Sequence, residues 1–234
     1  MSLFLLSFFL VYGSLHAYAL LKARSALAFG PGTTLALLPL LGILLCAPIV
    51  TYSLSRHGYE NAARILAHVG YLWMGFLFFF VCLNLSADLL RLPLRAMGRG
   101  GIAANAAAGL AGRSAFLCIA GLAVALSAYA IVEASRIEVV RVRIVTDRLP
   151  ASVPSLRIAQ ITDLHLGLVH RNGKTREVAA IVAREHPDLF VSTGDLVDGQ
   201  LDGVAELAEI LRGIPAPHGK FAVLGNHEYY AGSD

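Results

Sequence analysis

Formal charge is scarce in this 234-residue sequence, since Asp, Glu, Lys and Arg make up only 15% of it. An ordinary soluble domain has about 25%. The mean hydropathy is correspondingly high, at +0.65. The net charge of +3 is small, and no basic patch is interleaved with aromatic residues. The composition therefore indicates a membrane protein and gives no sign of a nucleic-acid-binding surface.

Cysteine is also scarce. The three cysteines, Cys46, Cys82 and Cys118, all lie in apolar segments, and no two have the spacing of a metal-binding pair. The sequence therefore argues against a cysteine-based metal site, and it leaves the redox compartment open.

Long uncharged runs dominate residues 1–135. Four stretches without a formal charge cover about 3–21, 33–54, 65–87 and 114–132. Because about 20 mostly apolar residues let a helix cross a bilayer, these stretches predict a transmembrane region of four helices. A secretory signal peptide is the competing interpretation of the first stretch, but its basic residues follow the apolar run instead of preceding it.

The loops between these stretches predict an orientation. The first and third loops carry six basic residues and the second carries two, namely Lys22, Arg24, Arg91, Arg95, Arg99 and Arg113 against Arg56 and Arg64. The excess favours the first and third loops inside, so the polar C-terminal part is expected outside the cytoplasm. The Gly- and Ala-rich run at 100–112 is either a loop or the closely packed start of the fourth helix.

Residues 136–234 hold most of the acidic side chains. Ile137–Val145 is rich in β-branched residues and predicts a strand, and the proline-containing segment that follows completes a strand and linker over 136–155. From 156 onward strands alternate with helices. The predicted strands are Leu156–Thr162, Leu189–Ser192 and Lys220–Leu224, and the predicted helices are Lys174–Glu185 and Leu201–Arg212. This alternation predicts an α/β fold with parallel strands.

Each of the three predicted strands is followed by side chains that bind metals or protons. The three clusters are Asp163-Leu-His165, Gly194-Asp195-Leu-Val-Asp198 and Gly225-Asn226-His227-Glu228. Ligands of parallel sheets gather at the carboxyl ends of the strands, so the clusters are expected to meet. Oxygen and nitrogen donors of this kind suit borderline to hard divalent metals.

The residue types also suggest roles. The carboxylate of Asp195 has two oxygens and can bridge two metals, and two metals about 3.5–4 Å apart can clamp a phosphoryl group. Gly194 and Gly225 permit a tight turn, or a close approach of the backbone to a phosphate. Asp198 either orients the site or caps the following turn, and Glu228 is expected just outside the ligand shell.

These three motifs resemble those of the calcineurin-like metallophosphoesterase family, over residues 157–234. The resemblance implies a four-layer αββα sandwich that holds two divalent metals, often Mn, Fe or Zn. It also implies that Asp163 and His165 bind the first metal, that Asp195 bridges, that Asn226 binds the second metal and that His227 is catalytic. The apolar segments that precede the motifs look like the membrane-attached branch of the family.

The sequence departs from the family pattern in one respect. The family continues with a further His and then Gly-His-X-His, whereas no His follows His227 here. Residues 156–234 are therefore expected to be the N-terminal half of a metallophosphoesterase domain, in a C-terminally truncated chain that is inactive by itself.

The predicted function is a membrane-anchored, divalent-metal-dependent phosphoesterase that hydrolyses phosphate mono- or diesters by a two-metal mechanism. The expected partners are the lipid bilayer and a phosphate ester, including a lipid-linked one. The predicted location is an integral multi-pass protein of the cell membrane. The alternative is a non-catalytic or regulatory membrane protein with a vestigial phosphoesterase module. A transporter is disfavoured, because the predicted spans contain no charged residue.

Overall fold

The computed structural model describes residues 3–97, 101–167, 172–198 and 204–231. The chain divides into two compact units, Met1–Arg136 and Ile137–Asp234. The first unit is helical and the second is α/β. The predicted fold class, a multi-span helical region followed by an α/β region, is confirmed.

The described part of the first unit has five helices. They are α1 (Leu3–Leu27), α2 (Pro31–Arg56), α3 (Glu60–Ala96), α4 (Ile102–Gly109) and α5 (Arg113–Ser135). All except α4 are long and apolar enough to cross a membrane. Helix α3 has 37 residues, which gives it a length of about 55 Å. Because the hydrocarbon layer is only about 30 Å thick, α3 extends beyond it.

The Gly- and Ala-rich run is neither a plain loop nor the start of the fourth long helix. It forms the separate short helix α4, since alanine is the best helix former. Gly112 has extended backbone and precedes Arg113, where α5 begins. Helix α2 continues through its two internal prolines, Pro39 and Pro48.

Side chains from three helices form the core of the helical unit. Tyr12 of α1 packs with Leu77, Phe80 and Val81 of α3 and with Ala123 of α5. Many large apolar side chains on the outside of α1, α2, α3 and α5 are exposed. This outward apolar surface is what a helix surrounded by lipid requires.

The second unit contains a small parallel sheet. Its elements are β1 (Ile158–Ile161), α6 (Asn172–Arg184), β2 (Leu189–Ser192), α7 (Val204–Arg212), β3 (Lys220–Ala222) and α8 (Asn226–Ala231). The strands lie in the order β1-β2-β3, and both pairs are parallel. The register places Ile158 opposite Leu189 and Phe190 opposite Lys220.

One face of the sheet is covered by helices. Val178 and Val182 of α6 pack with Phe190 of β2 and with Ile214 after α7. Phe221 of β3 remains 58% exposed. Parallel sheets usually carry layers on both faces, so one helical layer over one sheet is consistent with part of the four-layer sandwich implied by the resemblance.

The predicted strand Ile137–Val145 is not present, because none of these residues belongs to a strand. A strand needs a neighbour to complete its hydrogen-bond ladder, and the described part of the chain provides none here. Val140, Val142 and Ile144 are therefore largely exposed. The start of the predicted helix Leu201–Arg212 lies outside the described residues.

Candidate metal centre

The backbone beyond the ends of β1 and β2 continues the pairing of these strands. Asp163 donates its N–H to the carbonyl of Gly194 at 3.2 Å, and His165 donates to Asp195 at 3.0 Å. Leu166 then pairs with Val197 in an isolated parallel bridge. The two loops are thus held side by side, so the side chains that follow β1 and β2 converge at one edge of the sheet.

The first group of converging donors consists of Asp163, His165 and Asp195. One potential ligand atom from each lies within 4.8 Å of the other two. Oδ1 of Asp163 is 3.7 Å from Nε2 of His165. This group contains three of the four metal ligands expected from the sequence.

A second group shares His165 with the first and adds Asp198 and His227, with ligand atoms again within 4.8 Å of one another. Oδ1 of Asp198 lies 3.1 Å from Nδ1 of His227 and 4.0 Å from Nδ1 of His165. The two imidazole rings meet edge to face, with centroids 4.5 Å apart. Of the two roles considered for Asp198, this contact favours orientation of the site.

Three donors adopt backbone conformations that non-glycine residues rarely occupy. The φ angles of Asp163, His165 and Asp195 are +53°, +44° and +50°, in the left-handed region. Each such residue costs roughly 1–3 kcal/mol and persists where the surroundings fix it, often at functional sites. Sequence patterns did not reveal this feature, although Asp and His tolerate the region better than most residues.

The two motif glycines touch each other and Asp195. A Cβ atom on Gly225 would lie 2.2 Å from Oδ1 of Asp195, and one on Gly194 would lie 2.9 Å from the backbone of Gly225. Gly194 also has a φ of +107°. The close approach anticipated at these glycines is therefore to the neighbouring protein backbone and to Asp195.

Glu228 joins the loop after β2 to the loop after β3. Its carboxylate accepts hydrogen bonds from the backbone N–H groups of Asp195, Leu196, Val197 and Gly225, at 2.6–3.1 Å. Burial alone would raise the pKa of Glu228, but these N–H groups lower it below its usual value. Glu228 therefore fixes the backbone of the loop after β2 and of the loop after β3. The sequence predicted only that Glu228 lies just outside the ligand shell.

Asp195 and the start of α8 are joined by a further contact. The backbone N–H of His227 donates to Oδ1 of Asp195 at 3.0 Å. Asn226 is the first residue of α8 and is exposed. Its role as a ligand stays a prediction.

Other histidines in the α/β unit lie away from the site. His186 precedes β2, and His218 precedes β3, where it donates its backbone N–H to the carbonyl of Asp188. Both positions are at the amino ends of strands, at the opposite edge of the sheet. His170 lies outside the described residues.

The donors fit a divalent cation. Carboxylate oxygens and imidazole nitrogens suit Mn, Fe and Zn, and thiols are not required. The acidic side chains Asp163 and Asp198 have imidazoles as their ion-pair partners within the described part of the site. A bound cation would balance the charge of this cluster of carboxylates.

A comparison with protein-family models identifies the domain that carries these donors. Residues 156–234 match the model described as calcineurin-like phosphoesterase. Residues 156–234 of this chain belong to the calcineurin-like phosphoesterase family. The assignment made from the three motifs is therefore confirmed.

Curated relatives include further metallophosphoesterases. An uncharacterized metallophosphoesterase of Aquifex aeolicus is 42% identical over 111 residues, which are 47% of this chain and 42% of that protein. The Danio rerio protein named transmembrane protein with metallophosphoesterase domain is 34% identical over 156 residues, 66% of this chain and 34% of that protein. This second alignment is longer than residues 137–234, so it includes part of the helical unit.

A third relative is named for a specific substrate. The UDP-2,3-diacylglucosamine pyrophosphatase LpxG of Chlamydia muridarum is 37% identical over 86 residues, 35% of this chain and 26% of that protein. The chain thus spans less than half the length of each of these three relatives. No solved structure matches the chain.

Proposed function

We propose that this chain contributes the membrane anchor and several of the metal ligands to a divalent-metal-dependent phosphoesterase, which hydrolyses phosphate mono- or diesters by a two-metal mechanism. The observation that supports this most strongly is the meeting of Asp163, His165, Asp195, Asp198 and His227 at one edge of the sheet. The four helices able to cross a membrane support the anchor.

Each proposed ligand is assigned to one or both cations. Asp163 and His165 would hold the first cation, Asp195 would bridge, and Asn226 at the start of α8 would hold the second. When bound, two such cations lower the pKa of water and neutralise the charge of a phosphoryl group. Glu228 keeps the loops that carry these ligands together through its four backbone contacts.

His227 is the proposed proton carrier. The contact between its Nδ1 and Asp198 favours the tautomer with the proton on Nδ1, as a carboxylate partner does in other catalytic histidines. His227 would then exchange a proton with the leaving-group oxygen through Nε2. Asp198 acts in this scheme by positioning the ring.

We further propose a lipid-linked phosphate ester as substrate and an extracytoplasmic location for the α/β unit. A relative named for a diacylated UDP-sugar supports the lipid substrate. The excess of basic residues in the first and third loops supports the location. The lipid preference predicts a higher kcat/KM for an acylated phosphate ester than for the same ester without its acyl chains.

Hydrolysis of bis(p-nitrophenyl) phosphate by the protein purified from its native membrane tests the proposal. Activity is expected with added Mn²⁺ and is expected to disappear with EDTA or in Asp195→Asn. Asp147→Asn is the matched control, because Asp147 is exposed and lies in the segment before β1. Equal activity of Asp195→Asn and Asp147→Asn would refute the catalytic assignment.

A second experiment measures the same hydrolysis with residues 1–234 alone. Four predicted ligands are few for two cations, so we propose that residues 1–234 alone do not hydrolyse the substrate. Binding of metal without hydrolysis by the native protein would instead favour the alternative function, a regulatory module. Robust turnover by residues 1–234 alone would contradict the predicted inactivity.

A further inference from the structure

A polar cluster lies where α1 and α3 leave the predicted membrane spans. The first and third uncharged stretches end at about residues 21 and 87, and both helices continue past those points. Lys22 and Asp88 are the first charged residues beyond each stretch, and they form a direct ion pair at 2.5 Å. The two helices therefore reach the same level of the bilayer interface at this pair.

Asp88 organises the side chains around it. Its carboxylate accepts from the hydroxyl of Tyr18 at 2.7 Å, from Lys22 and from Nη1 of Arg91 at 3.2 Å. Arg91 also donates from Nε to the carbonyl of Ala107 in α4, so its place is fixed from two sides. Neither of these bonds uses Nη2 of Arg91.

These residues line an open cavity of about 470 Å³ at the surface of the helical unit. Its lining consists of Tyr18, Leu21, Lys22, Ser25, Asp88, Arg91, Leu92 and Arg95. Three of these side chains are cationic and one is anionic, so the lining carries a net charge of +2. One carboxylate holds the cluster together but leaves most of its positive charge unbalanced.

We propose that this cavity binds the phosphate group of an anionic phospholipid. The level of the bilayer interface is where lipid phosphates lie, and basic pockets between transmembrane helices bind anionic head groups. Guanidinium groups suit phosphate, because their planar donors match its oxygens. The apolar side chains of Leu21 and Leu92 would contact the lipid beside the head group.

A purely structural ion-pair network is the plain alternative. The ion-pair partners of Asp88 are Lys22 and Arg91, and the side chains of both are less than a quarter exposed. Arg95 is exposed and lies one helical turn beyond Arg91, on the same side of the cavity lining. A role in the fold alone would not require this third cation, whereas an anion site would use it.

Native mass spectrometry of the full chain in detergent tests the proposal with defined lipids. Phosphatidylglycerol is expected to bind more tightly than phosphatidylcholine. Arg95→Gln is expected to weaken phosphatidylglycerol binding about fivefold, the effect of one basic residue near an anionic head group. Because Arg95 is exposed, this change leaves the helix core intact.

Arg56→Gln is the matched control, because Arg56 is an exposed arginine in the last turn of α2 and outside the cavity. It is expected to leave phosphatidylglycerol binding unchanged. Equal binding of the two lipids, or equal weakening by the two substitutions, would overturn the proposal. Displacement of phosphatidylglycerol by excess inorganic phosphate would show a site for soluble anions and would also overturn the lipid assignment.

Discussion

At the scale of single residues, the candidate metal centre depends on side chains that hold the backbone as much as on the donors themselves. The carboxylate of Glu228 accepts hydrogen bonds from four backbone N–H groups in two loops. Gly225 leaves room for Oδ1 of Asp195, which in turn accepts the N–H of His227. These contacts surround the donors that adopt positive φ, a conformation that persists where the surroundings fix it.

Removal of the charge of Glu228 tests its part in this arrangement. Glu228→Gln is expected to lower the free energy of local opening of segment 195–198 by about 1–3 kcal/mol at neutral pH, since each bond to a charged acceptor is strong. Hydrogen exchange of that segment in the full chain measures the change. Glu209→Gln, which alters an exposed i,i+3 ion pair, should have little effect.

The difference in the free energy of local opening between wild type and Glu228→Gln should depend on pH with a definite sign. The pKa of Glu228 is lowered in the folded chain, so its stabilising effect is complete above the pKa of an unfolded Glu, about 4.3. The effect is lost as the pH falls through the lower, folded pKa. A difference between wild type and Glu228→Gln that grows on acidification would contradict the role given to the carboxylate.

Addition of one methyl group at Gly225 tests the close approach to Asp195. Gly225→Ala would place a Cβ 2.2 Å from Oδ1 of Asp195, so the carboxylate must move. Such overpacking costs about 1–3 kcal/mol, and calorimetry with Mn²⁺ should show weakened metal binding.

Gly173→Ala is the matched control for that change. Gly173 lies in α6, and a Cβ there meets nothing within 4 Å. The substitution should leave metal binding unchanged and favour the helix slightly. Equal metal binding by the two alanine variants would show that the space at Gly225 is not needed.

At the scale of elements, the sheet is covered on one side. Phe190 of β2 is 3% exposed beneath α6, whereas Phe221 on the neighbouring strand is exposed. Phe190→Ala should cost about 3–5 kcal/mol of stability, and Phe221→Ala less than about 0.5 kcal/mol. Hydrogen exchange of the three strands in the full chain provides the measurement. Equal losses for both variants would mean that something covers the second face.

Much of this architecture followed from hydrophobic patterning. The runs ending at Thr162, Ser192 and Leu224 predicted three parallel strands, because buried strands and covering helices leave distinct periods in a sequence. The placement of the donors at strand ends then predicted one common edge. The fold class and the family are confirmed, while the metal-ligand roles and the domain boundaries stay predictions.

Other features of the structure could not be predicted from the sequence pattern. The predicted strand Ile137–Val145 failed because β propensity does not supply a pairing partner. The contact between Asp198 and His227 joins residues 29 positions apart through two loops, and no local pattern encodes it. The left-handed conformations of Asp163, His165 and Asp195 likewise depend on tertiary contacts.

At the scale of the whole molecule, the predicted orientation can be tested by labelling. We expect Ser155→Cys, in a chain with its three native cysteines changed to serine, to react with a membrane-impermeant maleimide on intact cells. Ala111→Cys, between α4 and α5, should react only after permeabilisation. The reverse pattern would place the α/β unit in the cytoplasm and contradict the positive-inside argument.

The most direct test of the central claim is a calorimetric titration of the EDTA-treated full chain with Mn²⁺. The account predicts saturable binding that Asp195→Asn weakens about tenfold or more, a loss typical of altered metal sites, while Asp147→Asn leaves it unchanged. Absence of binding by the unaltered chain, or equal binding by both variants, would contradict a metal centre at this edge of the sheet.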